Sequence, residues 1–159
     1  SYVSSALLVG NLAARVPLLF DQQTWTNVWS DDLIGSALSA NYNAISHPVE
    51  VTNIGTVTER WAIVFLNTTT FRLIGEHLGV IAEASVTADF APTNPAVGQP
   101  YFILRAAGWG GGWAAGNVLR LNTVGAMFPV WVVRTVQQGA ESVQDDSFTL
   151  LVRGDVDRP

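Results

Sequence analysis

Glu59-Arg60-Trp61-Ala62-Ile63-Val64-Phe65-Leu66, followed by Asn67-Thr68-Thr69-Thr70-Phe71-Arg72-Leu73-Ile74, decides how this chain is read. Trp61, Ile63 and Phe65 share one face of an extended segment, with Ala62, Val64 and Leu66 on the other. Asn67-Thr68-Thr69 is a tight connection, so the two runs form a β-hairpin. Both faces of the first strand are apolar. An antiparallel strand normally leaves one face to water, so this one is central and covered on both sides. The cover comes either from the chain itself or from a partner, and the sequence leaves both open.

Working outward, His47–Asn53 alternates with Val49 and Val51 on one face, and Asn53-Ile54-Gly55 reads as a turn. Upstream, Gln23-Thr24-Trp25-Thr26-Asn27-Val28-Trp29 alternates as a strand carrying Trp25 and Trp29 on one face. Asp31–Ala44 follows as a loop, or a short helix capped at Ser30. Downstream, Gly75 and Gly79 bracket a short piece running to Ile81, and Ser85–Asp89 reads as an edge strand. Residues 91–100 hold three prolines, which keep that stretch out of a ladder. Strands are expected at Tyr101–Leu104, Val118–Asn122, Phe128–Val136 and Ser147–Arg153. Short strands between regular turn signals predict an all-β fold, an antiparallel β-sandwich or barrel-like domain with long Gly/Pro-rich loops. The expected organisation is an N-terminal arm, first strand or short helix over 1–20, with Leu8, Leu12 and Arg15 in helical spacing, and a single all-β domain over 21–159. The apolar run Ala6–Val9 is too short, and lacks a basic flank, for a signal peptide.

Composition narrows the function classes. Of the 159 residues 48% are hydrophobic and only 13% charged, about half the charged share of an average soluble domain. No run reaches the roughly 18 apolar residues of a membrane helix, so no membrane is expected as a partner. The net charge of −5 argues against nucleic acid. The absence of cysteine excludes disulfides and Cys-based zinc sites. All eight basic residues are arginine, a side chain favoured at protein interfaces, although compositional drift gives the same pattern.

The chemical inventory is thin. His47 and His77 are the only histidines; Glu76-His77 could contribute ligands with His47 or Asp89, but no metal motif is present and no metal or cofactor is expected. Asp31-Asp32 and Asp145-Asp146 read as solvated loop acids. There is no nucleophile elbow, and the chain is expected not to be an enzyme. Gly108-Trp109-Gly110-Gly111-Gly112-Trp113 lacks the Lys and Ser/Thr of a phosphate loop. Its two tryptophans either cap the sandwich, dock on protein, or stack on sugar rings. Arg153-Gly154-Asp155 spells an adhesion tripeptide that three residues match by chance.

The stretches Ile74–Ile81, Asn94–Phe102, Gly108–Arg120 and Asp145–Asp155 resemble structural proteins of tailed bacteriophages and prophages, of the tail or baseplate type. The likeness covers about two-thirds of the chain and carries no functional residues with it. It implies a virion component, assembled in the host cytoplasm, whose partners are other virion structural proteins and further copies of itself in a symmetric assembly. The alternatives are a capsid decoration protein and a carbohydrate- or receptor-binding module at a tail tip, which would meet a host-surface glycan. Trp61, Trp109, Trp113, Trp131, Arg120 and Arg134 are the candidate contact residues.

Overall fold

The computed structural model describes residues 12–38, 42–127 and 149. It shows an all-β, sandwich-like domain. Among the described residues, seven strands form two antiparallel sheets: β1 (Arg15–Gln22), β2 (Glu59–Phe65), β3 (Thr70–Gly75), β4 (Gly79–Ser85) and β7 (Val118–Val124) in a five-stranded sheet of order β1-β7-β2-β3-β4, and β5 (Thr93–Asn94) with β6 (Gln99–Pro100) in a small hairpin.

The β2–β3 hairpin forms as its sequence predicts. Phe65 lies opposite Phe71 and Trp61 opposite Gly75. Asn67 shapes the turn, its Oδ1 accepting from the backbone N–H of Thr69 and Thr70. β7 lies beside β2 in the middle of the sheet, setting Leu121 opposite Trp61 and Leu119 opposite Ile63. Alternation then sorts the sheet into two faces. Trp61, Ile63, Phe65, Phe71, Leu73, Leu119 and Leu121 point into the core and are all buried.

Among the described residues, the core face is covered mostly by irregular chain. Phe90, Tyr101, Phe102, Leu104, Trp113 and Tyr42 close the core from there. The rings interlock. Phe65 stacks on Trp113 with centroids 4.3 Å apart and planes 4° apart, and Trp61 meets Phe102 edge-on at 5.3 Å. The opposite face carries Arg120, which lies opposite Phe20 on β1. There the loop after β1 folds back over the sheet. Its Gln23 N–H donates to Ser36 O at 2.9 Å, and its Trp25 N–H to Gly116 O at 2.8 Å. Described parts of the chain therefore cover both faces of the central strands.

Several sequence expectations change. Gln23–Trp29 is not a strand; pairing stops at Gln22, and Asn27 takes a left-handed φ of 60° that breaks the alternation. Trp25 and Trp29 still meet, edge to face at 5.0 Å, because the loop curls. Arg15 opens β1, so strand pairing replaces the helical spacing there; residues 1–11 lie outside the described residues. β1 also runs across the expected boundary at residue 20. His47–Asn53 and Tyr101–Leu104 form no strand; the single bridge Glu50–Ile103 joins them, with Val49 and Val51 still packed against the core. β4 continues through Ser85, and a turn replaces the expected edge strand. Two residues on each side of the proline loop do pair, as β5 and β6. The strands expected at Phe128–Val136 and Ser147–Arg153 lie outside the described residues, Thr149 apart.

The stacked ring carries much of the packing. Phe65→Ala should lower unfolding stability by about 3–5 kcal/mol. Val80→Thr, on the 63% exposed Val80, should stay within about 0.5 kcal/mol of the parent. Urea unfolding followed by circular dichroism reads both.

Candidate functional site

At the end of the sheet where β2 begins and β3 and β7 finish, a cleft of about 480 Å³ opens. Asp31, Glu59, Arg60, Glu76, His77 and Asn122 contribute its polar lining. The hairpin register builds it. Two residues before the Trp61–Gly75 pair comes Glu59, and two residues after it comes His77 in the β3–β4 turn.

Glu59 is the fixed point. Its side chain is 2% exposed, and it accepts hydrogen bonds from the N–H of Arg60 at 3.0 Å and of His77 at 3.2 Å. Its Oε1 lies 3.0 Å from Nδ1 of His77. The imidazole itself is 78% exposed and lines the cleft. The hydrogen bond to Glu59, and then its charge, raise the His77 pKa above the usual imidazole value. Arg60 turns away from Glu59. Its Nε donates to Asp31 Oδ1 at 3.0 Å and its Nη1 to Glu76 Oε2 at 3.2 Å. Asn122 Nδ2 also donates to Asp31 at 2.9 Å, and this bond, with Arg60, holds the Asp31 carboxyl below its ordinary range. Asp31 is thus the exposed loop acid its sequence context predicts, with bonds to Arg60 and Asn122 that fix it at the rim.

A buried carboxylate aligning an exposed imidazole is an arrangement that can hold a proton or present the ring to a ligand. The nearest hydroxyls are otherwise engaged. Thr123 Oγ1 accepts from Trp61 Nε1 at 2.8 Å and donates to Val57 O at 2.7 Å, and Thr58 Oγ1 accepts from the Gly125 N–H at 3.1 Å.

The candidate contact residues lie elsewhere, and three of them are interior. Trp61 and Trp113 are 0% and 2% exposed, each with its ring packed in the aromatic core. They are wall elements of this domain, so their expected contact role is corrected to a packing role. Trp109 is half-buried, with Tyr42, Phe71, Phe65 and Trp113 around it. Of the three roles open to Trp109 and Trp113, the packing matches the first: both rings fold onto the core, and Phe65 covers a face of Trp113 that a sugar would need. Arg120 is 1% exposed. Its guanidinium carbon lies 5.0 Å from the Trp25 ring centroid, 5.1 Å from Trp29 and 5.5 Å from Phe20. Desolvation there lowers its pKa, and its Nη2 donates to Ser30 O at 3.1 Å. The arginine pins the returning loop to the sheet. Trp131 and Arg134 lie outside the described residues.

A second polar cluster fastens the covering layer. Arg105 forks onto Glu50 at 2.6 and 2.8 Å and donates to Asp89 at 2.8 Å. Asp89 also accepts from the N–H of Ala106, and these bonds hold its pKa down. Among the described residues, no helix is long and apolar enough to cross a membrane. No family model, curated protein or solved structure matches the chain.

The Glu59–His77 pair makes stability depend on pH. Because the folded pKa of His77 is raised, its contribution is complete below the unfolded value of about 6.5 and is lost as pH rises through the folded value. Denaturation midpoints measured from pH 5.5 to 9 should fall with rising pH in the parent, and His77→Ala should flatten that component.

Proposed function

We propose that this chain is a non-enzymatic structural subunit of a tailed-phage virion, placed in the tail or baseplate. It works by packing against other virion proteins and against further copies of itself. One observation carries the assembly part of this reading: the fold uses its strongest polar groups internally and leaves apolar side chains outside. Arg60, Arg72, Arg105 and Arg120 are each engaged within the chain, by carboxylates or by aromatic rings. Ile45 meanwhile is 97% exposed, Val80 63% and Val28 50%. A surface with few charges and exposed aliphatic side chains suits contact with protein.

The contact surface in this reading is the outer apolar set, including Leu78 and Val80 on the β3–β4 hairpin, and not the buried Trp61, Trp113 and Arg120. The virion part rests on the likeness of Ile74–Ile81, Asn94–Phe102 and Gly108–Arg120 to structural proteins of tailed phages. The acidic balance, −5 overall, fits a partner that is protein and not nucleic acid.

Particle composition tests the proposal. Tailed particles induced from the encoding strain and purified by density gradient should contain the chain at a fixed ratio to the other tail proteins. Val80→Asp, an exposed change that leaves the monomer folded, should reduce its incorporation about tenfold, equivalent to roughly 1.4 kcal/mol of contact energy. A chain abundant in the lysate and missing from the particles refutes the proposal.

A further inference from the structure

We propose that Glu59, Glu76 and His77 form a divalent-metal site of the zinc type, with the metal clamping the β3–β4 turn to the start of β2. The inference is independent of the virion reading. One ligand atom from each of the three residues lies within 4.8 Å of the others. A tetrahedral ion about 2.0–2.2 Å from its ligands sets neighbouring ligand atoms roughly 3.3–3.6 Å apart. Glu59 Oε1 and His77 Nδ1, hydrogen-bonded at 3.0 Å, need to part by only about 0.3 Å to enter that range once the ring nitrogen gives up its proton. Glu76 holds Arg60 only through long contacts of 3.2 and 3.4 Å. A small rotation toward Glu59 exchanges this weak pair for a metal bond, while Arg60 keeps Asp31 at 3.0 Å.

Charge and burial point the same way. The carboxylate of Glu59 is 2% exposed, yet the guanidinium beside it in sequence is directed to Asp31 and Glu76. Backbone N–H groups and one imidazole are what Glu59 has among the described residues. Burying a carboxylate is costly unless a cation accompanies it. Asp31, Glu59 and Glu76 carry three formal negative charges around the cleft and Arg60 one positive; with the His77 imidazole neutral, as a metal ligand must be, a divalent ion brings the group to balance. The two N–H donors also hold the Glu59 carboxylate in a fixed orientation, the preorganisation a ligand needs.

The donor set selects the metal. One imidazole with two carboxylates suits zinc-like ions, whereas calcium and magnesium favour an all-oxygen shell. The cleft of about 480 Å³ and the 78% exposed His77 leave coordination positions open to water. The chain has no cysteine and a single other histidine, His47, so binding by other nitrogen or sulfur ligands is easily controlled.

Calorimetric titration of the whole chain with zinc chloride alone at pH 7.5, with calcium chloride as the comparison, tests the site. The expected result is one saturable zinc equivalent, no comparable calcium binding, and a raised thermal midpoint in zinc. His77→Ala and Glu76→Gln, both away from the core, should each weaken zinc binding about tenfold or more. His47→Ala should leave it unchanged. Absence of saturable zinc binding overturns the proposal. So does a His77→Ala protein that binds zinc like the parent, or a loss that follows His47.

Discussion

The stack of Phe65 on Trp113, 4.3 Å between centroids and nearly parallel, is the contact on which the rest of this structure turns. It joins a central strand to a Gly-rich loop that has no regular ladder of its own. A five-stranded sheet with an apolar face must cover that face, and most of the described cover here is irregular chain. Irregular chain buries little area per residue unless its side chains are large. Aromatic rings supply the area, and their edge-to-face and stacked contacts add specificity. Phe90, Phe102, Trp109 and Trp113 are therefore concentrated in the covering layer. The indole N–H groups of Trp109 and Trp113 are buried with no hydrogen-bond partner among the described residues.

Glycine belongs to the same solution. Gly108 lies so close to the Tyr42 ring that a Cβ there would collide with it. Gly112 and Gly116 have φ of 89° and 87°, a region side chains disfavour, so the loop can turn both tryptophans inward. The other face of the sheet uses a different device. Arg120, on central β7, holds Trp25 and Trp29 around its guanidinium and fastens the returning loop. Around the rim, Arg105 and Arg60 gather carboxylates from separate loops. Arg60, Arg105 and Arg120 thus have a structural use in this domain, because a planar guanidinium both stacks on rings and forks onto carboxylates.

The sequence made the regular part legible and left the irregular part hidden. The β2–β3 hairpin, the turn at Asn53–Gly55 and the strand at Val118 follow from alternation and turn chemistry, which are local. Gln23–Trp29 alternates equally well yet forms no strand, because β7 pairs with β1 up to Gln22 and the chain then leaves the sheet. Alternation reports a two-sided environment, and a loop wrapped around Arg120 provides one as well as a strand does. The Glu59–His77 pair was within reach, since the hairpin register that sets Trp61 against Gly75 sets Glu59 against His77. Asp31 and Asn122 were not, because only the folded return of the loop brings them together.

The aromatic loop layer is an integral wall of the core, and Trp61, Trp109 and Trp113 serve the fold. Native-state hydrogen exchange on the isolated chain tests this most directly. The amides of Gly116 and Leu104, bonded to Phe65 O and Phe90 O, should exchange only through global unfolding, with the same opening free energy as Ile63 and Leu121 in the central strands. Rapid exchange at Gly116 and Leu104 through local opening, while Ile63 and Leu121 stay protected, would contradict it.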